Sequence, residues 1–262
     1  MRRPTVLTAA ALTAVALLSA CGSSDDDPGT AAGSSSTGLT GEITVLAAAS
    51  LTGSFTELGQ QFEAAHPGTK VNFSFGPSSG LATQITSGSP ADVFASASAK
   101  NMDTVVAAKA AGTPTTFAKN VMEIAVPPAN PGKITALADL AQPAVKVALC
   151  AAEVPCGVGA HTVFTNAKLT VKPVTEEVDV KATLTKVQLG EVDAGIVYVT
   201  DVLAAGDKVK GIEIPADVNA STSYPISTLT ASKNTALAQA YVDYVLSAAG
   251  AQALTAAGFE KP

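Results

Sequence analysis

Apolar residues along the chain alternate between the two-residue spacing of strands and the three-to-four-residue spacing of helices. Residues 43–47 form a short apolar run typical of a buried strand. Leu51, Phe55, Leu58 and Phe62 then fall on one face of a helix, which is predicted to end before a His-Pro-Gly turn. The first predicted unit is therefore a strand followed by an amphipathic helix.

This strand and helix unit recurs along the next part of the chain. Strands are predicted at residues 71–75, 92–97 and 122–126, with helices at residues 81–85 and 102–108 between them. Strands that alternate with helices favour a parallel sheet whose faces are covered by the helices.

The pattern restarts after Pro127-Pro128 and predicts a second set of elements. They are a short helix at 134–140, strands at 145–149, 194–198, 211–214 and 223–229, a helix after Gly157, a helix at 180–189, and a last helix with Leu237, Tyr241, Tyr244 and Val245. The two sets of elements indicate an α/β protein with two lobes. Because the last helix is predicted to pack on the first set, the second lobe is expected to be inserted into the first. Lobe 1 comprises 41–120 with 231–262, and lobe 2 comprises 121–230. Each is predicted to be a mostly parallel sheet flanked by helices, with the ligand in the cleft between them.

The first forty residues have a different composition. Arg2 and Arg3 precede an apolar stretch that is too short to span a membrane, which predicts an export signal over residues 1–20. The Leu-Ser-Ala-Cys sequence ending at Cys21 resembles the lipobox of bacterial lipoproteins, which implies a diacylglyceryl thioether and acyl chains such as palmitate. A cysteine in an ordinary cleaved signal is the alternative. Residues 21–40 are rich in Ser, Gly and Asp and predict a flexible linker, so the protein is expected outside the cytoplasm, anchored to the cell membrane.

The charge of the chain disfavours one class of partner. The formal net charge is −6, and it becomes −8 when Arg2 and Arg3 are removed with the signal. Nucleic-acid binding is disfavoured because it needs a basic surface. An anionic ligand would gain no long-range attraction either, so local dipoles at the site must hold it.

Three loops lead from a predicted strand into a helix through small or hydroxyl residues. They contain the sequences Ala47-Ala-Ala-Ser-Leu51, Gly76-Pro-Ser-Ser-Gly80 and Val154-Pro-Cys-Gly-Val158. A helix start leaves backbone N–H groups unpaired at its positive end, which suits an oxyanion. Ser50 and Ser78 would add hydroxyl donors, although either serine taken alone is equally consistent with a helix cap.

Six segments of the chain, in order, resemble the periplasmic molybdate-binding protein family. They are Ile43-Thr-Val-Leu-Ala-Ala-Ala-Ser-Leu-Thr52, Ser78-Ser-Gly-Leu-Ala-Thr-Gln-Ile85, Gly88-Ser-Pro-Ala-Asp-Val-Phe-Ala95, Val154-Pro-Cys-Gly157, Asp179-Val-Lys181 and Gly195-Ile-Val-Tyr-Val-Thr-Asp201. The resemblance extends from about residue 42 to Phe259. It implies a two-lobed periplasmic-binding-protein fold, similar to type II, and a monomer that captures molybdate or tungstate and delivers it to the permease of an ABC importer with its ATPase.

The resemblance also implies a ligand held by neutral donors alone. These would be Ser50 and Ser78 through hydroxyl and backbone N–H, Cys156 and Val180 through backbone N–H, and Tyr198 through its phenol. The family usually has a small residue such as alanine where Cys156 stands, a change that a backbone donor tolerates. The resemblance implies no enzyme activity, no cofactor, and no metal ion coordinated directly by side chains.

The chemistry of the ligand favours the same arrangement. Molybdate only accepts hydrogen bonds, whereas hydrogen phosphate also carries a proton that needs an acceptor, so phosphate is expected to be rejected. Sulfate also only accepts and remains the alternative ligand, since size alone would exclude it. Asp179 is expected to cap the helix that begins at Val180 rather than touch a dianion. A half-buried aromatic at a strand end is the alternative interpretation of Tyr198.

A serine hydrolase is the alternative from another class. Gly76-Pro-Ser-Ser-Gly80 matches the Gly-x-Ser-x-Gly nucleophile elbow and lies between a predicted strand and helix. His161 would supply the base, with Asp92, Asp103 or Asp139 as the acid. Only two strands are predicted before Ser78, however, whereas this elbow normally follows several strands, and a second oxyanion loop is missing. The binding protein is therefore favoured.

Cys150 and Cys156 are the two cysteines besides Cys21. Export places them in an oxidising compartment, where an even pair is more often bridged than free. We therefore predict a disulfide that holds the loop carrying the Cys156 N–H. Two small buried thiols that pack as hydrophobic groups are the alternative.

Overall fold

Nine strands and eight α-helices make up the part of the chain that the computed structural model describes, residues 38–262. The strands are β1 Gly41–Ala48, β2 Thr69–Gly76, β3 Val93–Ala95, β4 Thr115–Val126, β5 Val147–Cys150, β6 Thr175–Glu177, β7 Ala194–Tyr198, β8 Lys210–Glu213 and β9 Ser221–Thr228. The helices are α1 Thr52–Ala65, α2 Ser78–Thr86, α3 Ala99–Ala107, α4 Pro155–Asn166, α5 Val180–Gln188, α6 Val199–Ala205, α7 Thr235–Leu246 and α8 Ala248–Ala256. Short 3₁₀ helices cover Ala49–Leu51, Leu137–Ala141 and Gly206–Lys208.

The strands form one mixed sheet in the order β2-β1-β3-β9-β4-β7-β5-β6, with β8 paired to β4. Strand β1 pairs in parallel with β2 and β3, and β5 pairs in parallel with β6 and β7. The long strand β4 joins these two parallel groups. Its first half pairs with β9 and its second half with β7 and β8, all antiparallel. The parallel pairing predicted for the first strands is therefore present, whereas the strand at residues 122–126, predicted in the same parallel series, is antiparallel to both β7 and β8.

The hydrophobic core has separate parts on the two sides of this connection. One cluster packs α1 and α7 on β1 through residues such as Phe55, Phe62 and Tyr241, with α2 and α3 forming a smaller cluster on the other face. Another packs α4 and α5 on β5 and β7 through residues such as Val163 and Val187. Each part of the sheet therefore carries its own helices. The prediction that the last long helix returns to the first set is confirmed, because α7 contacts β1.

The helix α1 shows how the spacing of apolar residues produces this packing. Phe55, Leu58 and Phe62 lie on one helical face and are fully buried. The chain then turns at Gly68, whose φ of 92° lies in the left-handed region that glycine adopts without strain. This turn lets β2 run parallel to β1, with Thr69 opposite Gly41.

Several predicted elements differ from those in the structure. The helix expected after Gly157 begins at Pro155, because a proline is well suited to the first turn, where its missing N–H costs no hydrogen bond. The helix expected at 134–140 is a 3₁₀ helix at Leu137–Ala141. Three elements were not predicted: the polar three-residue strand β6, the helix α6 that follows β7 without a break, and α8, which Ser247 separates from α7 as its N-cap.

The bounds of the two predicted lobes stay a prediction, since residues 38–262 form one compact unit. Strand β9, which the prediction assigned to lobe 2, pairs with β3 and with the first half of β4. These pairings place β9 in the first part of the sheet. The sequence of a strand does not reveal which strands it will pair with.

Candidate functional site

All five residues predicted to hold a ligand line one small cavity. The cavity lies where β1, β2 and β7 end and where the 3₁₀ helix Ala49–Leu51, α2, α4 and α5 begin. Its lining residues are Ala48, Ala49, Ser50, Gly76, Pro77, Ser78, Ala97, Val154, Pro155, Cys156, Asp179, Val180 and Tyr198. Its volume is about 20 Å³, which is room for one compact group and far below the size of pockets for organic ligands.

Ser50 and Ser78 approach the cavity from the first part of the sheet. Both are buried, and the two helices that they enter have no side-chain cap. The alternative interpretation of these serines as helix caps is therefore wrong. Ser78 Oγ instead accepts a hydrogen bond from the backbone N–H of Ala97 at 2.9 Å, and Ser50 Oγ lies 2.9 Å from the phenol oxygen of Tyr224.

Cys156 lies in the first turn of α4, which begins with Pro155 and has no side-chain cap. Its backbone N–H is one of the groups that a helix start leaves without an intrahelical partner. In the structure a disulfide joins Cys156 to Cys150 at the end of β5, with the Cα atoms 5.7 Å apart. A Cβ on Gly157 would collide with the carbonyl oxygen of Ala151, so the loop packs directly against the helix start.

Val180 is the first residue of α5. The carboxylate of Asp179 accepts a hydrogen bond from Ala182 N at 2.9 Å, so its predicted role as the helix cap is confirmed. The next residue, Lys181, forms an ion pair of 2.8 Å with the fully buried carboxylate of Asp201. That carboxylate also accepts from the backbone N–H of Tyr198 at 3.2 Å, which ties the start of α5 to the end of β7.

Tyr198 reaches the cavity from the end of β7. It is 1% exposed, and its phenol oxygen has no hydrogen-bond partner among residues 38–262. Burial raises the pKa of this phenol, so it keeps its proton. A buried hydroxyl without a partner is costly, which makes this O–H a donor that is available to a ligand. Tyr198 is thus fully buried, and the alternative interpretation of it as a half-buried aromatic is wrong.

The charges around the cavity match a shell of neutral donors. None of the described residues that line it is Lys, Arg or His, and the only acidic one is Asp179. The nearby positive charge of Lys181 is paired with Asp201. Helix starts and hydroxyl groups are therefore the sources of positive potential at this site. Among residues 38–262 no group of three or more His, Cys, Asp or Glu side chains could hold a metal ion.

Sequence reasoning missed three residues that support the site. Tyr224 on β9 contacts Ser50 through its phenol, Ala97 holds Ser78 through its backbone, and Asp201 holds the backbone of Tyr198. Asp201 belongs to a segment that resembles the molybdate-binding family, so the sequence contained a signal for it. Tyr224 and Ala97 lie 174 and 19 residues from their partners, and nothing in their local sequence indicates these contacts.

The structure does not bring the residues of the hydrolase alternative together. His161 is exposed on α4, and no hydrogen bond within the described part of the chain joins it to Ser78. The carboxylate of Asp92 accepts from Thr44 N and Ser232 Oγ, and that of Asp139 accepts from Thr135 and Ala136. The structure therefore does not assemble a Ser-His-Asp arrangement at this elbow.

The predicted signal over residues 1–20, the lipid-bearing Cys21 and most of the linker lie outside the described residues. Within the described part, no helix has the length and apolar character needed to cross a membrane.

Comparison with known proteins identifies the class to which this fold and cavity belong. Residues 43–260 match the family described as bacterial extracellular solute-binding protein. The chain therefore belongs to this family of extracellular solute-binding proteins, and its predicted two-lobed α/β fold class is confirmed.

Its relatives carry a more specific name. The molybdate-binding protein ModA of Mycobacterium tuberculosis (strain ATCC 25618 / H37Rv) is 43% identical over 249 residues, which are 95% of this chain and 94% of the relative. ModA of Escherichia coli (strain K12) is 33% identical over 84% of this chain and 89% of the relative. The solved periplasmic molybdate-binding protein of Azotobacter vinelandii has a TM-score of 0.75 at 22% identity, covering 84% of this chain and 99% of that one, and so shares the fold.

Proposed function

We propose that this protein captures molybdate, or the nearly isosteric tungstate, outside the cytoplasm and delivers it to an ABC importer. The observation that carries the proposal is that Ser50, Ser78, Cys156, Val180 and Tyr198 all line one small cavity. The 43% identity to a protein named molybdate-binding ModA supports the choice of ligand.

The donors at the cavity suit an anion that only accepts hydrogen bonds. The two serines and Tyr198 bring hydroxyl groups, and the starts of α4 and α5 bring backbone N–H groups. Molybdate is fully deprotonated at neutral pH, so each of its four oxygens accepts from such donors and none needs an acceptor in return. Hydrogen phosphate would place its proton against a donor, which leaves both groups unsatisfied in a buried site.

Neutral donors also suit a protein of this charge. The net charge of −6, which becomes −8 when the predicted signal is removed, repels a dianion at long range, and Asp179 lies at the cavity itself. We infer that binding depends on short-range hydrogen bonds from pre-oriented donors, each of which is worth about 1.5–3 kcal/mol toward a charged partner. In this proposal the ligand is the cargo, and the protein uses no cofactor and catalyses no reaction.

Calorimetry in competition is the experiment that tests this proposal. Molybdate and tungstate are expected to bind tightly and to displace each other, with sulfate weaker and phosphate without effect. Tight sulfate binding with weak molybdate binding would assign the protein to the alternative ligand instead. Absence of binding by all four anions would overturn the proposed function.

We also propose that the protein is a monomeric lipoprotein attached to the cell membrane through Cys21. The support is the Leu-Ser-Ala-Cys sequence and the Ser, Gly and Asp-rich residues 21–40 that follow. Cys21→Ala is expected to release the protein from the membrane fraction, and mass spectrometry of the wild-type N-terminus is expected to find an acylated cysteine. An unmodified N-terminus after another residue would indicate an ordinary cleaved signal.

A further inference from the structure

The hydroxyl groups of Ser50 and Ser78 are each hydrogen-bonded within the protein as well as facing the cavity. For Ser78 the direction of this bond is certain, because the backbone N–H of Ala97 has no lone pair and can only donate. Ser78 Oγ therefore accepts, and its own proton remains for another acceptor. The cavity lies beside it.

For Ser50 the direction follows from burial. Tyr224 is 0% exposed, and its one well-formed hydrogen bond among residues 38–262 joins its phenol oxygen to Ser50 Oγ at 2.9 Å; the Asn120 amide and the Tyr198 phenol are its other polar neighbours. If Ser50 donated, the Tyr224 proton would be buried without a well-formed hydrogen bond, which is costly. If Tyr224 donates, the unpaired proton is that of Ser50, where a ligand can accept it. Burial also raises the pKa of Tyr224, so the phenol keeps its proton.

We infer that Tyr224 is a positioning residue that fixes Ser50 as a hydrogen-bond donor toward the ligand and thereby contributes to the choice of anion. The inference rests on the proposed function. With Tyr224 donating to Ser50, Ala97 donating to Ser78 and the Tyr198 phenol unpaired, all three hydroxyls at the cavity direct a proton to the ligand. A fully deprotonated oxyanion satisfies this arrangement, and a protonated one does not.

Tyr224 acts through Ser50 and does not line the cavity itself. It also packs edge-on against Tyr198, with ring centroids 6.2 Å apart, and Phe at this position keeps the ring. Tyr224→Phe therefore removes the hydrogen bond and leaves the packing. The matched control is Tyr241→Phe, which removes a buried phenol that has no partner among the described residues and lies in the α1 and α7 cluster.

The test measures binding of molybdate and inorganic phosphate by calorimetry on the full-length protein and its variants. Tyr224→Phe is expected to weaken molybdate binding about 3- to 10-fold, the scale of one hydrogen bond, while Tyr241→Phe leaves it unchanged. The freed Ser50 hydroxyl can turn its proton away from the ligand, so phosphate is expected to compete better against molybdate. An unchanged preference between the two anions overturns the inference.

A double-substitution cycle separates positioning from a general structural effect. If Tyr224 acts through Ser50, the double variant Ser50→Ala/Tyr224→Phe binds molybdate as weakly as Ser50→Ala alone. Independent, additive losses would mean that Tyr224 only supports the fold, and would overturn the inference. If the wild-type protein does not bind molybdate at all, the proposed function is overturned. This result differs from an additive and from a non-additive double-substitution cycle, both of which require that the wild type binds.

Neutron diffraction of the deuterated wild-type protein with molybdate shows the direction of the hydrogen bond between Ser50 and Tyr224 without any substitution. The deuteron between the two oxygens is expected on Tyr224, with the Ser50 deuteron directed to a molybdate oxygen. A Ser50 deuteron directed to Tyr224 would overturn the inference, even if Tyr224→Phe fails to fold.

Discussion

The two sides of the cavity present donors in different ways. On the side of β1 and β2, Ser50 and Ser78 bring side-chain hydroxyls, each bonded to a second group of the protein. On the side of β5 and β7, the starts of α4 and α5 bring backbone N–H groups next to a disulfide and a capping aspartate. On the side of β1 and β2, a substitution can therefore remove a hydrogen-bond donor directly. On the side of β5 and β7 the donors other than Tyr198 are backbone N–H groups, so a substitution can affect them only through the residues that hold them in place.

Ser78→Ala is expected to have the largest effect, because the serine has two roles. Molybdate binding should weaken by about 1.5–3 kcal/mol, the scale of a hydrogen bond to a charged group. The fold should also lose about 1–3 kcal/mol, since the buried N–H of Ala97 loses its acceptor. Calorimetry and denaturant unfolding measure the two losses.

The neighbouring Ser79→Ala is the control, since Ser79 lies on the same helix but does not line the cavity. It should change neither quantity. Wild-type affinity in Ser78→Ala would remove this side of the cavity from the proposed site.

Tyr198→Phe is expected to weaken binding by a similar amount, about 1.5–3 kcal/mol, without a loss of stability. The phenol has no partner among residues 38–262, so the fold loses no hydrogen bond when it is removed. This separation of affinity from stability would distinguish Tyr198 from Ser78. A parallel loss of both would show that the phenol has a structural partner instead.

The double variant Cys150→Ser/Cys156→Ser tests whether the disulfide holds the Cys156 backbone N–H at the start of α4 in place for the ligand. The chain-entropy relation gives about 2 kcal/mol of stability for so short a ring, and molybdate affinity should fall by less than that because the loop becomes more mobile. Unfolding and calorimetry measure the two effects. Alkylation of the unreduced wild-type protein is the check on the bridge itself: two added labels on Cys150 and Cys156 would mean that it is absent.

The smallest effect is expected at Asp179, where two substitutions separate the cap from the charge. Asp179→Asn keeps a capping side chain and removes a negative charge at the cavity, so dianion binding should strengthen, by less than about 1 kcal/mol at low salt. Asp179→Ala should in addition cost about 1 kcal/mol of stability. Equal stability of the two variants would show that the hydrogen bond to Ala182 does not support α5.

The sequence predicts best those elements in which the spacing of apolar residues shows which face is buried. Helix α1 was predicted from the spacing of Phe55, Leu58 and Phe62, and these residues are buried in the structure. Strand β6 and helix α6 lacked such a signal: β6 has the sequence Thr-Glu-Glu, and α6 continues from β7 without a turn residue. A pairing partner or a neighbouring helix decides the conformation of such segments, and neither is visible in the local sequence.

For the site, the sequence by itself determined which residues could donate. Loop chemistry and family resemblance indicate Ser50, Ser78, Cys156, Val180 and Tyr198, and all five line one cavity. Only the tertiary structure decided in which direction their hydrogen bonds run. Tyr224 reaches Ser50 from 174 positions away, and Ala97 reaches Ser78 across a strand end. A hydroxyl both donates and accepts, so its role depends on the neighbour that folding brings to it, and that neighbour is fixed by the sheet order rather than by the local sequence.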